Sequence, residues 1–174
     1  SVKNVAKIAK KINPEIKIIC GGPHATVMPE DLINLNEIDF VVKGEGETAT
    51  LRLLECLEQK KDLKETKGLY YKQNNEIIFT GDREEFEDVS KLPLPAKHLL
   101  YEKEKLPAIV FQPIFSARGC PHKCIYCSSH YIHGYRTRLI DIDTTIKEIK
   151  SLMKDFNVHH FFICDDTFGQ HREH

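Results

Sequence analysis

The sequence predicts an α/β protein, because helical and strand-like patterns alternate along it and the loops with unusual residues follow directly after strands. Alternation of this kind indicates crossover connections and a parallel sheet, in which ligands bind at the carboxyl ends of the strands. In order, the predicted elements are helix 2–12, strand 16–20, a short helix at 29–35, strand 39–43, helix 48–60, strand 113–118, helix 144–156 and strand 158–164.

Apolar residues at helical spacing support the three longer helices. Asn13 and Pro14 end the first helix, and Asp143 is expected to cap the start of the third. The apolar stripes are Val2, Val5, Ile8 and Ile12 in the first helix, Leu51, Leu54 and Leu57 in the second, and Ile146, Ile149, Leu152, Met153 and Phe156 in the third.

The middle of the chain has a different pattern. Two strand-like runs, 68–72 and 76–80, flank Gln73-Asn-Asn75, and asparagine tolerates left-handed turn geometry, so a β-hairpin is predicted. The prolines of segment 91–96 indicate a stiff, extended connector. With a domain boundary between 82 and 106, the predicted parts are residues 1–62, residues 63–106 and residues 107–174.

Composition limits the classes of function. The 174 residues carry a formal net charge of −1 without a basic stripe, so a general nucleic-acid-binding role is not expected. No apolar stretch approaches about 18 residues, so we expect no membrane span and a cytoplasmic location. The chain begins without methionine inside a helix and ends just after a strand. We therefore expect an internal piece of a longer protein that is inactive on its own.

Three closely spaced cysteines are the strongest functional signal. Cys120, Cys124 and Cys127 are four and three residues apart, which suits three ligands of a cubane iron–sulfur cluster and leaves the fourth iron open. Structural zinc is an alternative, although it usually takes two separate ligand pairs. Disulfides are a weaker one, because no secretory segment is present. The histidines available to zinc are His122, His130 and His133, and the cysteines expected to be small buried apolar residues are Cys20, Cys56 and Cys164.

The cysteine loop closely resembles the signature of the radical S-adenosylmethionine (SAM) enzymes. The shared features are the CxxxCxxC spacing, the aromatic Tyr126 directly before the last cysteine, the lead-in Ser116-Ala-Arg-Gly119, and Pro121 after the first cysteine. The resemblance implies that the three cysteines bind a [4Fe-4S] cluster whose open iron is chelated by SAM. One electron from the cluster then cleaves SAM to a 5′-deoxyadenosyl radical. Tyr126 would lie near the adenine.

The last predicted strand ends in Asp165-Asp-Thr-Phe168, which resembles the residues that radical SAM enzymes carry at this strand edge. In that family the edge meets the amino group of SAM. The resemblance therefore implies that Asp165 or Asp166 helps to hold the SAM ammonium. Capping of the strand end is the competing interpretation, and paired carboxylates can also perform acid–base chemistry.

The order of the parts is similar to the cobalamin-dependent branch of the radical SAM superfamily. The loop Gly21-Gly-Pro-His-Ala-Thr26 follows a buried strand, the run Asp39–Thr48 comes next, and a CxxxCxxC loop lies beyond the hairpin and proline linker. The resemblance implies the C-terminal part of a Rossmann-like B12-binding domain followed by the first β/α units of a partial barrel. Gly21, Gly22 and Pro23 would approach cobalamin, since glycine permits close backbone contact. A turn remains the simpler interpretation of His24.

These features predict a radical SAM enzyme that uses a [4Fe-4S] cluster and cobalamin for methylation, cyclisation or rearrangement at an unactivated carbon. The expected substrate is a small molecule or natural product, and the expected electron donor is reduced flavodoxin or ferredoxin. Two alternatives stay open. One is a methylthiotransferase-like radical SAM enzyme, and the other is a non-catalytic module that binds zinc or an iron–sulfur cluster.

Overall fold

The structure, a computed structural model, describes residues 1–83 and 88–170. Contacts divide these residues into two compact units. The first contains residues 1–83 and 126–133, and the second contains residues 88–125 and 134–170. The stretch that begins just before Cys127 is therefore part of the first unit.

The first unit is a mixed α/β structure, as the sequence predicts. Three of its helices have only five residues, and one of these, α5, is contributed by the segment after the cysteines. Its elements are α1 (Val2–Ile12), β1 (Ile19–Cys20), α2 (Pro23–Val27), α3 (Pro29–Ile33), β2 (Phe40–Val42), α4 (Glu47–Gln59), β3 (Leu69–Gln73), β4 (Glu76–Phe79) and α5 (Ser129–His133).

The sheet of this unit has the order β1-β2-β3-β4. β1 and β2 are parallel, with Ile19 opposite Phe40, and this confirms the predicted crossover. β3 and β4 form the predicted hairpin, in which Asn74 and Asn75 adopt φ values of 53° and 64°. The hairpin also pairs antiparallel with β2 and so extends the parallel pair, an arrangement that the sequence pattern did not predict.

The central strand β2 is buried along its whole length because helices cover both faces of the sheet. Phe40 and Val42 pack with Leu53 of α4 on one face. Val41 points to the opposite face and packs with Ala6 and Ile33. By contrast, the predicted apolar stripe of α1 does not pack within the unit. Its exposed members are Val2, Val5, Ile8 and Ile12.

The second unit contains a strand–helix–strand crossover. β5 (Pro113–Ile114) pairs in parallel with β8 (Phe162–Ile163), and α6 (Ile142–Phe156) lies between them in the chain. The predicted strand 113–118 is interrupted, because its second half, β6 (Ala117–Arg118), pairs antiparallel with β7 (Arg138–Leu139) instead. The core residues of this unit are Phe111, Ile114, Leu152 and Val158.

Several predicted details differ in the structure. Residues 23–26, expected within a loop, belong to α2, because Pro23 occupies the first helical position, where its missing N–H costs nothing. Cys56 is buried and Cys20 half-buried, and burial raises the pKa of the Cys20 thiol. Cys164 is exposed, so the prediction that it is buried was wrong; it follows β8, whose side chains are also exposed.

Within residues 1–83 and 88–170, no helix is both long and apolar enough to span a membrane. The predicted division into residues 1–62, 63–106 and 107–174 stays a prediction. So does the assignment of the β5–α6–β8 crossover to the opening of a barrel.

The cap of α6 is Asp141 rather than the predicted Asp143. The Asp141 carboxylate accepts hydrogen bonds from the Thr144 hydroxyl and from the backbone N–H of Asp143, the latter at 2.8 Å. These bonds favour the charged carboxylate, and the Thr144 hydroxyl makes the largest contribution to lowering the Asp141 pKa.

We expect Asp141→Ala to lower the thermal midpoint at neutral pH, because the orphan N–H groups of α6 lose their acceptor. Since the native pKa is lowered, the stabilisation by Asp141 is complete above the ordinary aspartate pKa of about 3.9 and is lost as the pH falls through the native value. Thermal melts followed by circular dichroism should therefore show a difference between variant and wild type that shrinks in acid. Asp143→Ala is the matched control and should have a smaller effect. A larger effect of the control would contradict the assigned cap.

Candidate functional site

The three cysteines lie in a loop that follows β6. Gly119 begins the loop with φ of 88°, a conformation that favours glycine. Residues 119–128 lie outside helices and strands until α5 begins. All three cysteines are free thiols, with Cys120 and Cys127 half-buried and Cys124 exposed. The loop thus presents reduced sulfur ligands on backbone that no strand or helix constrains.

The donor chemistry fits an iron–sulfur cluster better than zinc. Thiolates are the usual ligands of such clusters. Two of the three histidines that could complete a zinc site have other partners: His122 contacts Gln170 at 2.9 Å, and His133 contacts Glu45 at 2.8 Å. In the described part of the chain, no three His, Cys, Asp or Glu side chains are arranged to hold a metal ion.

The two aspartates after β8 bind the backbone that leads into the cysteine loop. Asp165 accepts hydrogen bonds from the Ser116 N–H at 2.7 Å, the Ser116 hydroxyl at 2.5 Å and the Ala117 N–H at 3.0 Å. Asp166 accepts one from the Gly119 N–H at 3.0 Å. The structure thus joins the lead-in motif to the aspartate pair, as the capping interpretation requires. The predicted contact of these carboxylates with SAM stays a prediction.

Thr167 contacts a cysteine of the loop and was missed by the sequence analysis. Its hydroxyl donates to the Sγ of Cys120 at an oxygen–sulfur distance of 3.0 Å. The residue directly follows the aspartate pair, so the position of that pair was the available signal. Hydrogen bonds to ligand sulfurs influence the redox potential of an iron–sulfur cluster.

Two glycine-rich loops meet at the carboxyl edge of the first unit's parallel strands. Gly22 has φ of 89°, and a Cβ added there would have no neighbour within 4 Å. The Thr26 hydroxyl donates to the Gly22 carbonyl and accepts from the Gly44 N–H, both at 2.9 Å. This edge therefore exposes the backbone of residues 21–23, the predicted cobalamin contacts, while Thr26 fixes the two loops against each other.

The structure places the other two candidate residues on the surface. The His24 side chain is 63% exposed and lies 3.5 Å from the Asp31 carboxylate, so it faces solvent, although it lies in α2 and not in a turn. An apolar groove of about 600 Å³ runs past Gly21 and His24 along α1. Tyr126 is 89% exposed, and its predicted contact with adenine stays a prediction.

Comparison with known proteins identifies relatives along nearly the whole chain. The family described as B12 binding domain matches residues 1–54. An uncharacterized methyltransferase of Pyrococcus horikoshii is 36% identical over 168 residues, which cover 94% of this chain and 36% of the relative. The anaerobic magnesium-protoporphyrin IX monomethyl ester cyclase of Rubrivivax gelatinosus is 32% identical over 179 residues, 96% of this chain and 31% of the relative. The chain spans about a third of the length of these relatives.

The fold matches that of the radical SAM methyltransferase TsrM of Kitasatospora setae, solved with tryptophan and a SAM analogue. The TM-score is 0.73 at 18% identity, covering 97% of this chain and 34% of TsrM. TsrM has also been solved with cobalamin and a [4Fe-4S] cluster bound. These matches agree with the cysteine signature: residues 1–54 match the B12 binding domain family, and the fold is that of a radical SAM methyltransferase.

Proposed function

We propose that this chain carries the cofactor-binding part of a radical SAM enzyme that also binds cobalamin. One observation carries the proposal: a CxxxCxxC loop that follows a strand occurs in the same chain as a B12-binding segment. Support comes from the relatives named as a methyltransferase and a cyclase, and from a fold shared with TsrM, which binds cobalamin and a [4Fe-4S] cluster. The predicted parts are the B12-binding segment 1–62, the linker 63–106 and the barrel start 107–174.

Cys120, Cys124 and Cys127 are the proposed cluster ligands, since they are the only three cysteines with this spacing in the sequence. When bound, the cluster supplies the electron that cleaves SAM, and cobalamin serves as methyl carrier. Asp165 and Asp166 fix the start of the loop by binding its backbone, and one of them is proposed to meet the SAM ammonium. The exposed Tyr126 ring is available to pack against the adenine.

The cobalamin contacts are proposed for Gly21, Gly22 and Pro23. Open space around Gly22 supports this proposal, because a large flat cofactor needs to approach the backbone closely. The position of these residues at the carboxyl end of β1 also supports it, since ligands bind at this edge of parallel sheets.

Methyl transfer to an unactivated carbon of a small molecule is the proposed reaction. The Pyrococcus relative is named as a methyltransferase and TsrM as a radical SAM methyltransferase. Cyclisation is the second candidate, because the Rubrivivax cyclase aligns over 96% of this chain. Reduced flavodoxin or ferredoxin is the proposed electron donor. A reducing compartment such as the cytoplasm suits free thiolate ligands.

Anaerobic reconstitution with iron and sulfide tests the cluster. We expect about four iron and four sulfide per chain, as in a cubane cluster. Cys124→Ala should retain less than half of this content, because one of three ligands is gone. Cys164→Ala is the matched control: it removes an exposed free thiol outside the motif and should load normally. Wild-type protein that takes up zinc but no sulfide would overturn the assignment.

SAM cleavage separates an enzyme from a binding module. We expect the protein that carries this chain, loaded with its cluster and reduced by dithionite, to convert SAM to 5′-deoxyadenosine and methionine. Product analysis by liquid chromatography measures both compounds. Cys124→Ala should form neither above background. Equal product from the variant and the wild type would show that the cleavage does not depend on this cluster.

The Thr167 hydroxyl is expected to raise the potential of the cluster, because a hydrogen bond to a ligand sulfur favours the more negative, reduced state. Thr167→Val should lower the midpoint potential by up to about 40 mV, the equivalent of about 1 kcal/mol for one electron. A redox titration followed by electron paramagnetic resonance measures the shift. Thr167→Ser keeps the donor and should stay close to the wild type; an identical potential for the valine variant would refute the role.

A further inference from the structure

Glu45 is a buried carboxylate that the proposed cofactor roles do not use. It lies in the loop between β2 and α4, and its side chain is only 5% exposed. Oε2 accepts from Nη1 of Arg83 at 3.1 Å, and Oε1 contacts Nδ1 of His133 at 2.8 Å. A buried charge is costly unless it is paired and hydrogen-bonded, and both oxygens of Glu45 have such partners.

Arg83 connects this carboxylate to the segment that follows the third cysteine. Its Nη2 donates to the backbone carbonyl of Ile132 at 2.6 Å, so the guanidinium bridges the Glu45 loop and the end of α5. His133, the last residue of α5, contacts the same carboxylate directly. Two separate hydrogen bonds therefore hold α5, and α5 begins only two residues after Cys127.

Gly44, in the same loop as Glu45, leaves room for the Arg83 side chain. Gly44 has φ of 78°, and a Cβ there would lie 2.4 Å from Nε and 2.8 Å from Cδ of Arg83. Glycine is thus favoured by the backbone conformation, and it also leaves room for the guanidinium packed across it. A side chain at residue 44 would therefore force the Arg83 guanidinium to move from the position in which it makes the bridge.

The anchored segment also touches the predicted cobalamin edge within the same unit. α5 contacts α2, the helix that begins at Pro23. Thr26 of α2 in turn accepts from the Gly44 N–H, one residue before Glu45. The carboxylate, the segment after Cys127 and the glycine-rich edge therefore form one connected network.

We infer that Glu45 is a positioning residue that, through Arg83 and His133, fixes segment 126–133 and thereby restricts Cys127 before the cluster binds. The inference rests on the proposed function, in which Cys127 is a cluster ligand. A ligand that is ordered in advance loses less conformational entropy on binding, so the network favours retention of the cluster. Loss of the network frees the segment without dissolving the core of the first unit, which α4 and the sheet form independently.

Hydrogen exchange of the cluster-free protein tests the anchor itself. Glu45→Gln removes the charge that pairs with Arg83, and amides of residues 129–133 should exchange about tenfold faster or more, while those of α4 stay unchanged. Asp82→Asn is the matched control, because Asp82 is 82% exposed and pairs with Lys43 at 3.1 Å in a neighbouring part of the same unit. Wild-type protection of residues 129–133 in Glu45→Gln would overturn the inference, whether or not a cluster ever binds.

The loaded protein provides a readout that a merely structural role would not change. Loss of the cluster to an iron chelator should be about tenfold faster in Glu45→Gln, because segment 126–133 then has more conformational freedom to lose when Cys127 binds. The control variant should release it at the wild-type rate, and an unchanged rate in Glu45→Gln would overturn the inference. If Glu45→Gln does not fold, His133→Gln, which alters only the partly exposed end of the network, carries both measurements. Failure of the wild type to take up any cluster instead counts against the proposed function.

Discussion

The hydrogen bonds from the Asp165 and Asp166 carboxylates to the backbone of Ser116, Ala117 and Gly119 are the interaction on which the cysteine loop depends. The short strands β5 and β6 belong to different two-stranded sheets, so ladder pairing alone does not fix the chain between them. Two adjacent carboxylates supply acceptors for N–H groups that would otherwise be unsatisfied at this break, and bonds to a charged acceptor are stronger than neutral ones. These hydrogen bonds therefore fix the backbone up to Gly119, the residue directly before Cys120.

The sequence pattern was sufficient to predict helices and turns that depend on residues close together in the chain. Helical periodicity predicted α1, α4 and α6 to within a few residues, and the asparagine pair predicted the β3–β4 hairpin. The sequence pattern was not sufficient where residues that are far apart in the chain decide which strands pair and which surfaces are buried. The pairing of the hairpin with β2, the division of strand 113–118 and the exposure of the α1 stripe depend on which surfaces meet in three dimensions. The Asp141 cap was missed by two residues, the usual uncertainty of helix ends.

The candidate site follows the same division. The spacing of Cys120, Cys124 and Cys127 and the presence of two adjacent aspartates can be seen in the sequence itself. Thr167 could not be assigned, because its role depends on a contact with a cysteine 47 positions earlier. Glu45 and Arg83 are separated by 38 positions and His133 by a further 50, and single charged residues at such distances carry no periodic signal.

The distribution of order along the cysteine loop has a physical rationale. Its start is held by carboxylates that bind the Ser116–Gly119 backbone, and its end leads into α5, which Arg83 and His133 tie to Glu45. The middle, including Cys124 and Ile125, is exposed and lies outside helices and strands. A segment whose conformations are restricted before binding loses less conformational entropy when a ligand binds, so these hydrogen bonds favour the cluster binding proposed for the loop.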